Sequence, residues 1–282
     1  MRRPQCFHCQ GASAFTFRAG SGTTCGSRHH VYREVTVNEL FDLPTVDRAP
    51  KVDSLAANGV RPFSILRADR AGWQTRKHAW NDLGLDSRAG REHVSTYSPV
   101  GAWSQQVMTS INGGLSTFDP VLAEACYTWY APPGGSVIDP FAGCSVRGLV
   151  AGNLGHPYPG IDLSPVQLDA NRDQGDDWAT RDLLAAPVTW LDGDAAEVLP
   201  TLPAGSFDYC LTCPPYHTLE HYTTDPRDLS RMRWKRFARV YQAIVAATVE
   251  RLAPDRFMTW VVGEVRDGHG MLRGLVQLTI EA

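Results

Sequence analysis

From residue 115 onward, short apolar runs alternate with longer helical stretches, and that alternation restricts the chain to a small set of layered α/β folds. The runs predict strands at 136–139, 158–163, 188–192, 207–212 and 257–262. Between them the sequence predicts helices at 118–130, 144–154, 165–171 and 235–252. Parallel strands joined by helical crossovers bring their carboxyl-end loops to one edge of the sheet, where ligands bind. Residues that carry chemistry are therefore expected at the strand ends.

With 282 residues, 43% of them hydrophobic, the chain can bury a sizeable core, which excludes a wholly disordered protein. Its longest apolar runs, such as 257–262, fall far short of the roughly 20 residues that a membrane span requires. No apolar stretch follows Met1-Arg2-Arg3-Pro4 where a secretory leader would place one, so a cytoplasmic protein is expected. The 7 cysteines then read as thiols or metal ligands rather than as a disulfide framework. Basic residues are concentrated in the first 100 positions, with 14 Lys and Arg against 9 Asp and Glu, whereas the remainder holds 13 against 21. The formal net charge of −3 thus gives no support for nucleic-acid binding on its own. No repeat is visible.

Three organisational units are expected: a loop-rich Cys/His segment at 1–50, a partly helical accessory segment at 51–114, and an α/β domain at 115–282. In the accessory segment, Trp73, Lys77 and Trp80 fall on one helical stripe within 73–85. Arg76, Lys77 and His78 there read either as phosphate contacts or, more commonly for such a cluster, as a solvated helix flank. In the first segment Cys6, Cys9, Cys25 and His29 form a C-x2-C and a C-x3-H pair, with His8 and His30 as competing ligands. They read as a structural zinc site or as ordinary buried thiols.

Each predicted strand ends in a turn with chemical content. The first runs into Asp139-Pro140-Phe141-Ala142-Gly143-Cys144, a glycine turn that lets a small ligand approach the backbone but matches neither the dinucleotide nor the P-loop pattern. The second ends in Asp162, placed to accept hydrogen bonds from a ribose diol, and the third is followed by Asp194. Singly, such acids are commonly helix caps. The fourth strand ends in Thr212-Cys213-Pro214-Pro215-Tyr216, where two prolines remove backbone donors and leave the preceding carbonyls as acceptors. Such a loop suits an exocyclic amino group, with Tyr216 stacking on its base. Arg227, Arg231, Arg233, Lys235, Arg236 and Arg239 follow and read either as a phosphate grip or as a solvated basic helix.

DPFAGCSVRG (139–148), GIDLS (160–164), GDAAEVLP (193–200) and TCPPY (212–216), in that order, resemble motifs I to IV of the S-adenosylmethionine-dependent amino methyltransferases that act on adenine N6 or cytosine N4 of DNA, bacteriophage DNA methylases in particular. The likeness spans about 115–267 and continues more weakly back through 59–80. It implies a Rossmann-like methyltransferase sheet with helices on both faces, S-adenosylmethionine as cofactor, DNA as partner, and a host-cytoplasmic location if the chain is phage-encoded. It also implies site residues: Phe118 and Asp119 beside the adenine; Asp139, Phe141 and Gly143 around the methionine; Asp162 with Leu163 at the ribose; Asp194 with Ala195 at the adenine ring. Cys213, Pro214, Pro215 and Tyr216 would form the catalytic loop that receives a flipped-out base.

Two features depart from the family. Cys213 stands where Asp, Asn or Ser is usual, and a thiol is the poorer acceptor. The sequence stops at Ala282 without the antiparallel hairpin that follows the fifth strand in family sheets, so an exposed edge on that strand is expected. The alternatives are an amino methyltransferase acting on RNA or a protein amide, and a catalytically impaired, truncated DNA-binding protein.

Overall fold

The structure, a computed structural model, describes residues 12–19, 66, 68–69, 71–91, 95–96, 117–217, 220–266 and 271–282. Its strands are β1 (Ala12–Ala19), β2 (Ser95–Thr96), β3 (Val137–Ile138), β4 (Tyr158–Asp162), β5 (Val188–Asp192), β6 (Phe207–Thr212), β7 (Glu220–His221) and β8 (Leu252–Gly263). Its helices are α1 (Ala71–Asp82), α2 (Pro120–Tyr130), α3 (Val146–Asn153), α4 (Pro165–Thr180), α5 (Ala195–Val198), α6 (Trp234–Arg251) and α7 (Leu275–Glu281).

The main sheet runs β5-β4-β3-β6-β8-β1, with β3 joined to β4 through the Asp139–Gly160 pairing and the Ile161 N–H donating to the Asp139 carbonyl at 2.8 Å. All pairings are parallel except that of β1 with β8. The chain lays down β3, β4 and β5 in one direction and β6 and β8 in the other. The order therefore reverses between β3 and β6, the switch point at which doubly wound sheets form a crevice. This is a Rossmann-like, doubly wound arrangement with helices on both faces.

Burial on both faces explains why the strands read as apolar runs rather than as alternating patterns. Val137, Tyr209, Leu211 and Val261 point into one core with Tyr127, Leu149, Leu168 and Trp178 from the helices. Ile138, Cys210, Met258 and Trp260 point into the other with Phe237, Tyr241, Ile244 and Leu275. The helix starts are legible in the sequence. Asp119 caps α2 and Ser164 caps α4, each followed by a proline that fits the first helical position.

Four expectations need correction. Helix α4 continues past Asn171 to Thr180, because Trp178 is fully buried and stacks on Trp80, with ring centroids 6.5 Å apart. The polar run between them hides that packing. Strand β8 begins at Leu252, directly after α6, with a register shift against β6 that places Asp255 at φ 61°. The edge of β8 is not open: β1 pairs antiparallel with it from Ala12↔Gly263 to Ala19↔Arg256. A strand from inside the segment read as loop-rich thus covers the edge that was expected to be exposed, and after β8 the described chain continues into α7. Finally, Arg76 and Lys77 are neither phosphate contacts nor a solvated flank. Arg76 and the Trp80 indole N–H both bond the fully buried Glu124 of α2, and Lys77 pairs with Asp119 at 3.0 Å.

Helix α3 crosses β5 so closely at Gly152 that a Cβ there would collide with Val188 and lie 3.1 Å from Leu184 Cδ2. Gly152→Ala would gain up to about 1 kcal/mol of helix propensity if the site were open. Overpacking reverses the sign, so urea unfolding is expected to show a net loss of about 1–3 kcal/mol.

Candidate active site

Asp139, at the carboxyl end of β3, is fully buried and accepts four hydrogen bonds. Its Oδ1 receives the Phe141 N–H at 3.0 Å and the Thr212 hydroxyl at 2.6 Å; its Oδ2 receives Arg147 Nε at 2.6 Å and the Tyr158 hydroxyl at 2.7 Å. The donors come from the turn itself, β6, α3 and β4. Arg147 also donates to the Phe141 and Ala142 carbonyls and lies 4.6 Å over the Phe118 ring. A carboxylate with about four acceptor positions is thereby saturated. Asp139 thus shapes the turn, and its oxygens keep no acceptor position for a further donor.

Gly143 is the most open of these. Its φ of 52° favours glycine, and a Cβ would meet nothing nearer than 3.9 Å, so its backbone borders free space. The turn is pinned on both sides: the Gly143 N–H donates to Asp162 Oδ2 at 2.8 Å, and its carbonyl accepts from Asn171 Nδ2 at 2.7 Å. Asp162 Oδ1 accepts the Ser164 N–H at 2.8 Å, so each oxygen keeps a lone pair for a further donor. Burial pushes the Asp162 carboxyl up to about 6, against the opposing influence of the two N–H donors and of Arg91. Asp194 lies two residues beyond Asp192, the β5 partner of Asp162, and the intervening Gly193 N–H bonds the Asp162 carbonyl at 3.0 Å. Its Oδ1 caps α5 through the Ala196 N–H at 2.9 Å, and burial raises its carboxyl.

The remaining expected residues line the base of this crest. Phe141 packs edge-on against Trp260, Ala195 is buried at the start of α5, and Leu163 is half-buried. Asp119 is occupied by capping α2 and by Lys77 and Trp73, while Phe118 is covered by Arg147.

Because β3 and β6 are parallel neighbours, the Pro-Pro loop stands beside the glycine turn, and the Thr212–Asp139 bond fastens one to the other. In that loop Cys213 Sγ lies 3.5 Å from the Tyr216 hydroxyl, which donates to the Val261 carbonyl of β8 at 3.2 Å. Tyr216 is thus held by its hydroxyl, with its ring half-buried. Burial raises the Cys213 thiol, keeping it neutral and unsuited to act as a nucleophile. His217, at φ 51°, joins the loop to the start of α6 through the Met232 carbonyl at 2.9 Å and the Trp234 ring at 5.3 Å.

Arg147, Tyr158, Asn171, Thr212 and Arg91 were not anticipated as site residues. Arg147 has a sequence signal in retrospect, an arginine eight residues after a strand-end acid, whereas the others depend on tertiary contact. Among the described residues no group of three or more His, Cys, Asp and Glu could hold a metal, and no helix is long and apolar enough to cross a membrane. Cys6, Cys9, Cys25 and His29 lie outside the described residues.

The fold is a doubly wound sheet whose glycine turn and Pro-Pro-Tyr loop stand side by side at the switch point. Among characterised proteins, the chain is 33% identical over 105 residues to the Type II methyltransferase M.XycI of Xanthomonas campestris pv. cyanopsidis, a match covering 36% of this chain and 31% of that protein. The chain therefore spans about a third of the length of this relative. No family model matches. Solved structures with partial likeness include a SAM-dependent methyltransferase from Archaeoglobus fulgidus (14% identity, 54% of each chain, TM-score 0.33) and a precorrin-6y C5,15-methyltransferase from Geobacter metallireducens (15% identity, 57% of this chain and 65% of that one, TM-score 0.36).

Replacing Asp139 by Asn keeps the size of the side chain but leaves Arg147 without its counter-charge and turns an amide N–H₂ toward hydroxyl and guanidinium donors. Removing one partner of a buried pair costs about 3–5 kcal/mol, so the variant is expected to unfold at markedly lower denaturant. Thr212→Val removes a single bond and should cost roughly 1–2 kcal/mol.

Proposed function

We propose that the protein is an S-adenosylmethionine-dependent methyltransferase that modifies an exocyclic amino group, adenine N6 or cytosine N4, of a base flipped out of DNA. The observation that carries the reading is the fastening of two crests at the switch point: an open glycine turn with an unsaturated carboxylate on one, and a donor-poor Pro-Pro-Tyr loop on the other. The residues present fit the cofactor. Gly143 leaves room for it at the backbone, Asp162 has lone pairs for a ribose diol, and Asp194 stands next in line for the adenine ring. When bound, the cofactor supplies an activated methyl group. The protein's part is to position the target amine and exclude water.

In that role Pro214 and Pro215 remove competing N–H groups, so the loop carbonyls accept from the amine and expose its nitrogen to the methyl donor. Tyr216, held by its hydroxyl, offers a ring face to the base. A flipped base must be unstacked, and a fixed aromatic platform offsets part of that cost. The similarity to a Type II methyltransferase supports DNA as the substrate.

The basic cluster after the loop adds a second support. Arg227 is committed to Asp225 and Glu197. In contrast Arg231, Arg233, Lys235, Arg236 and Arg239 are exposed, with no ion pair to any described residue, and no acid occurs from 229 to 249. Lys235, Arg236 and Arg239 share the helix side opposite Phe237, Tyr241 and Ile244. Since His217 packs on Met232 and Trp234, these cations begin beside the catalytic loop, where phosphates flanking a flipped base would lie.

Incubation with labelled S-adenosylmethionine and unmethylated DNA, followed by nucleoside analysis, should yield N6-methyladenine or N4-methylcytosine; no labelled nucleoside would contradict the reading. Tyr216→Ala should lower kcat/KM on the order of 10- to 100-fold, the worth of one base stack, with S-adenosylhomocysteine affinity nearly unchanged. Neutralising Lys235, Arg236 and Arg239 together should flatten the dependence of log affinity on log salt by about 2.7 if all three meet B-DNA phosphates.

A further inference from the structure

Arg91 closes the described stretch 71–91 and, although charged, is only 7% exposed. The backbone just before it is stitched to the cofactor side of the crest. Gln167 Nε2 donates to the Ala89 carbonyl at 3.0 Å and to Asn171 Oδ1 at 2.9 Å; Asn171 in turn donates to the Gly143 carbonyl, and the Gly143 N–H to Asp162. Gly90, at φ 77°, backs directly onto α4, where a Cβ would come within 2.8 Å of Ala170 Cβ. The position of Arg91 is therefore set by the elements that set the glycine turn.

Its guanidinium reaches toward the other crest. Nη2 lies 3.5 Å from Glu220 Oε2 in β7, and the group sits 5.8 Å over the Tyr222 ring. The Tyr222 hydroxyl donates to the same Glu220 oxygen at 2.5 Å. Glu220 comes four residues after Tyr216, so this cluster holds the strand that leaves the Pro-Pro-Tyr loop. The charge of Arg91 also acts on the Asp162 carboxylate.

We propose that Arg91 is a positioning residue shared by both halves of the site: seated by the relay that holds the glycine turn on Asp162, it sets its charge beside that ribose acceptor, while its guanidinium, against Glu220, anchors β7 and with it the catalytic loop. The proposal rests on the reading of Asp162 as the ribose acceptor. The groups whose charge bears on Asp162 are Arg91, which holds its carboxyl down, and Asp139, which pushes it up; the Gly143 and Ser164 N–H donors also hold it down. Burial works against the charge of Arg91, and the carboxylates of Glu220 and Asp162 favour it. A protonated carboxyl loses acceptor capacity, so cofactor binding should weaken as pH falls through about 6. Removing the cation raises the carboxyl further, and the weakening then sets in at higher pH.

The test is calorimetric titration of the full-length protein with S-adenosylhomocysteine from about pH 5 to about pH 8. Arg91→Gln should shift the midpoint of the acid limb upward by about half a unit or more. Arg91→Lys keeps the charge but loses the fork, so its midpoint should stay with the wild type while kcat falls about threefold or more. A purely structural role would lower stability without moving the midpoint. An unmoved midpoint in Arg91→Gln overturns the inference and leaves the cofactor reading intact. A lysine variant whose midpoint moves as far as that of the glutamine variant, or whose kcat is unchanged, also overturns the inference. No binding by the wild type at any pH overturns the cofactor reading and the inference with it.

Discussion

One buried carboxylate holds the crest of the sheet together. Asp139 takes four donors from four places in the chain, and each bond fixes a different relation: the turn after β3, the angle of α3 through Arg147, the approach of β4 through Tyr158, and the register of β6 through Thr212. A fully satisfied buried network specifies one geometry, whereas a partly satisfied one would be costlier than an apolar core. Rigidity at this point fixes the glycine turn beside the Pro-Pro-Tyr loop. The strand-end acid thus works from beneath the crest, whereas Asp162, bonded by one N–H on each oxygen, keeps spare lone pairs.

That division of labour extends outward. Segment 71–91 is built into the same core: Trp73 and Trp80 are buried, and Arg76 and Trp80 converge on Glu124. At its end, the Gln167–Asn171 relay and the Arg91–Glu220 contact tie it to both crests. Asp162 illustrates the cost of this packing, since a carboxyl raised by burial is less at ease in the folded protein when ionised. As its folded value lies above the ordinary carboxylate range, this group favours folding increasingly as pH falls through about 6.

Much of the architecture was legible because strand and helix signals are local. Val188–Asp192 and Phe207–Thr212 coincide with their apolar runs, and the Asp119-Pro120 and Ser164-Pro165 starts mark α2 and α4. The acids at the strand ends were also visible, but not their different duties, because saturation of Asp139 depends on Arg147, Tyr158 and Thr212 arriving from elsewhere. Long-range pairing was invisible for the same reason. Nothing in Ala12–Ala19 announces that it will flank β8, and the polar second half of α4 conceals a helix that Trp178 anchors. Charge clusters were ambiguous in sequence and resolved by contact: Arg76, Lys77 and Arg227 are paired, whereas the cations from Arg231 to Arg239 face solvent.

The account stands on the two crests serving a single reaction space. A crystal structure of the protein with S-adenosylhomocysteine would test this most directly. The account predicts the ribose on Asp162 and the sulfur directed at the Cys213–Tyr216 loop, leaving a gap that a methyl group and an amine at roughly 3–3.5 Å would fill. A ligand bound away from Gly143, or with its sulfur turned from that loop, would contradict it.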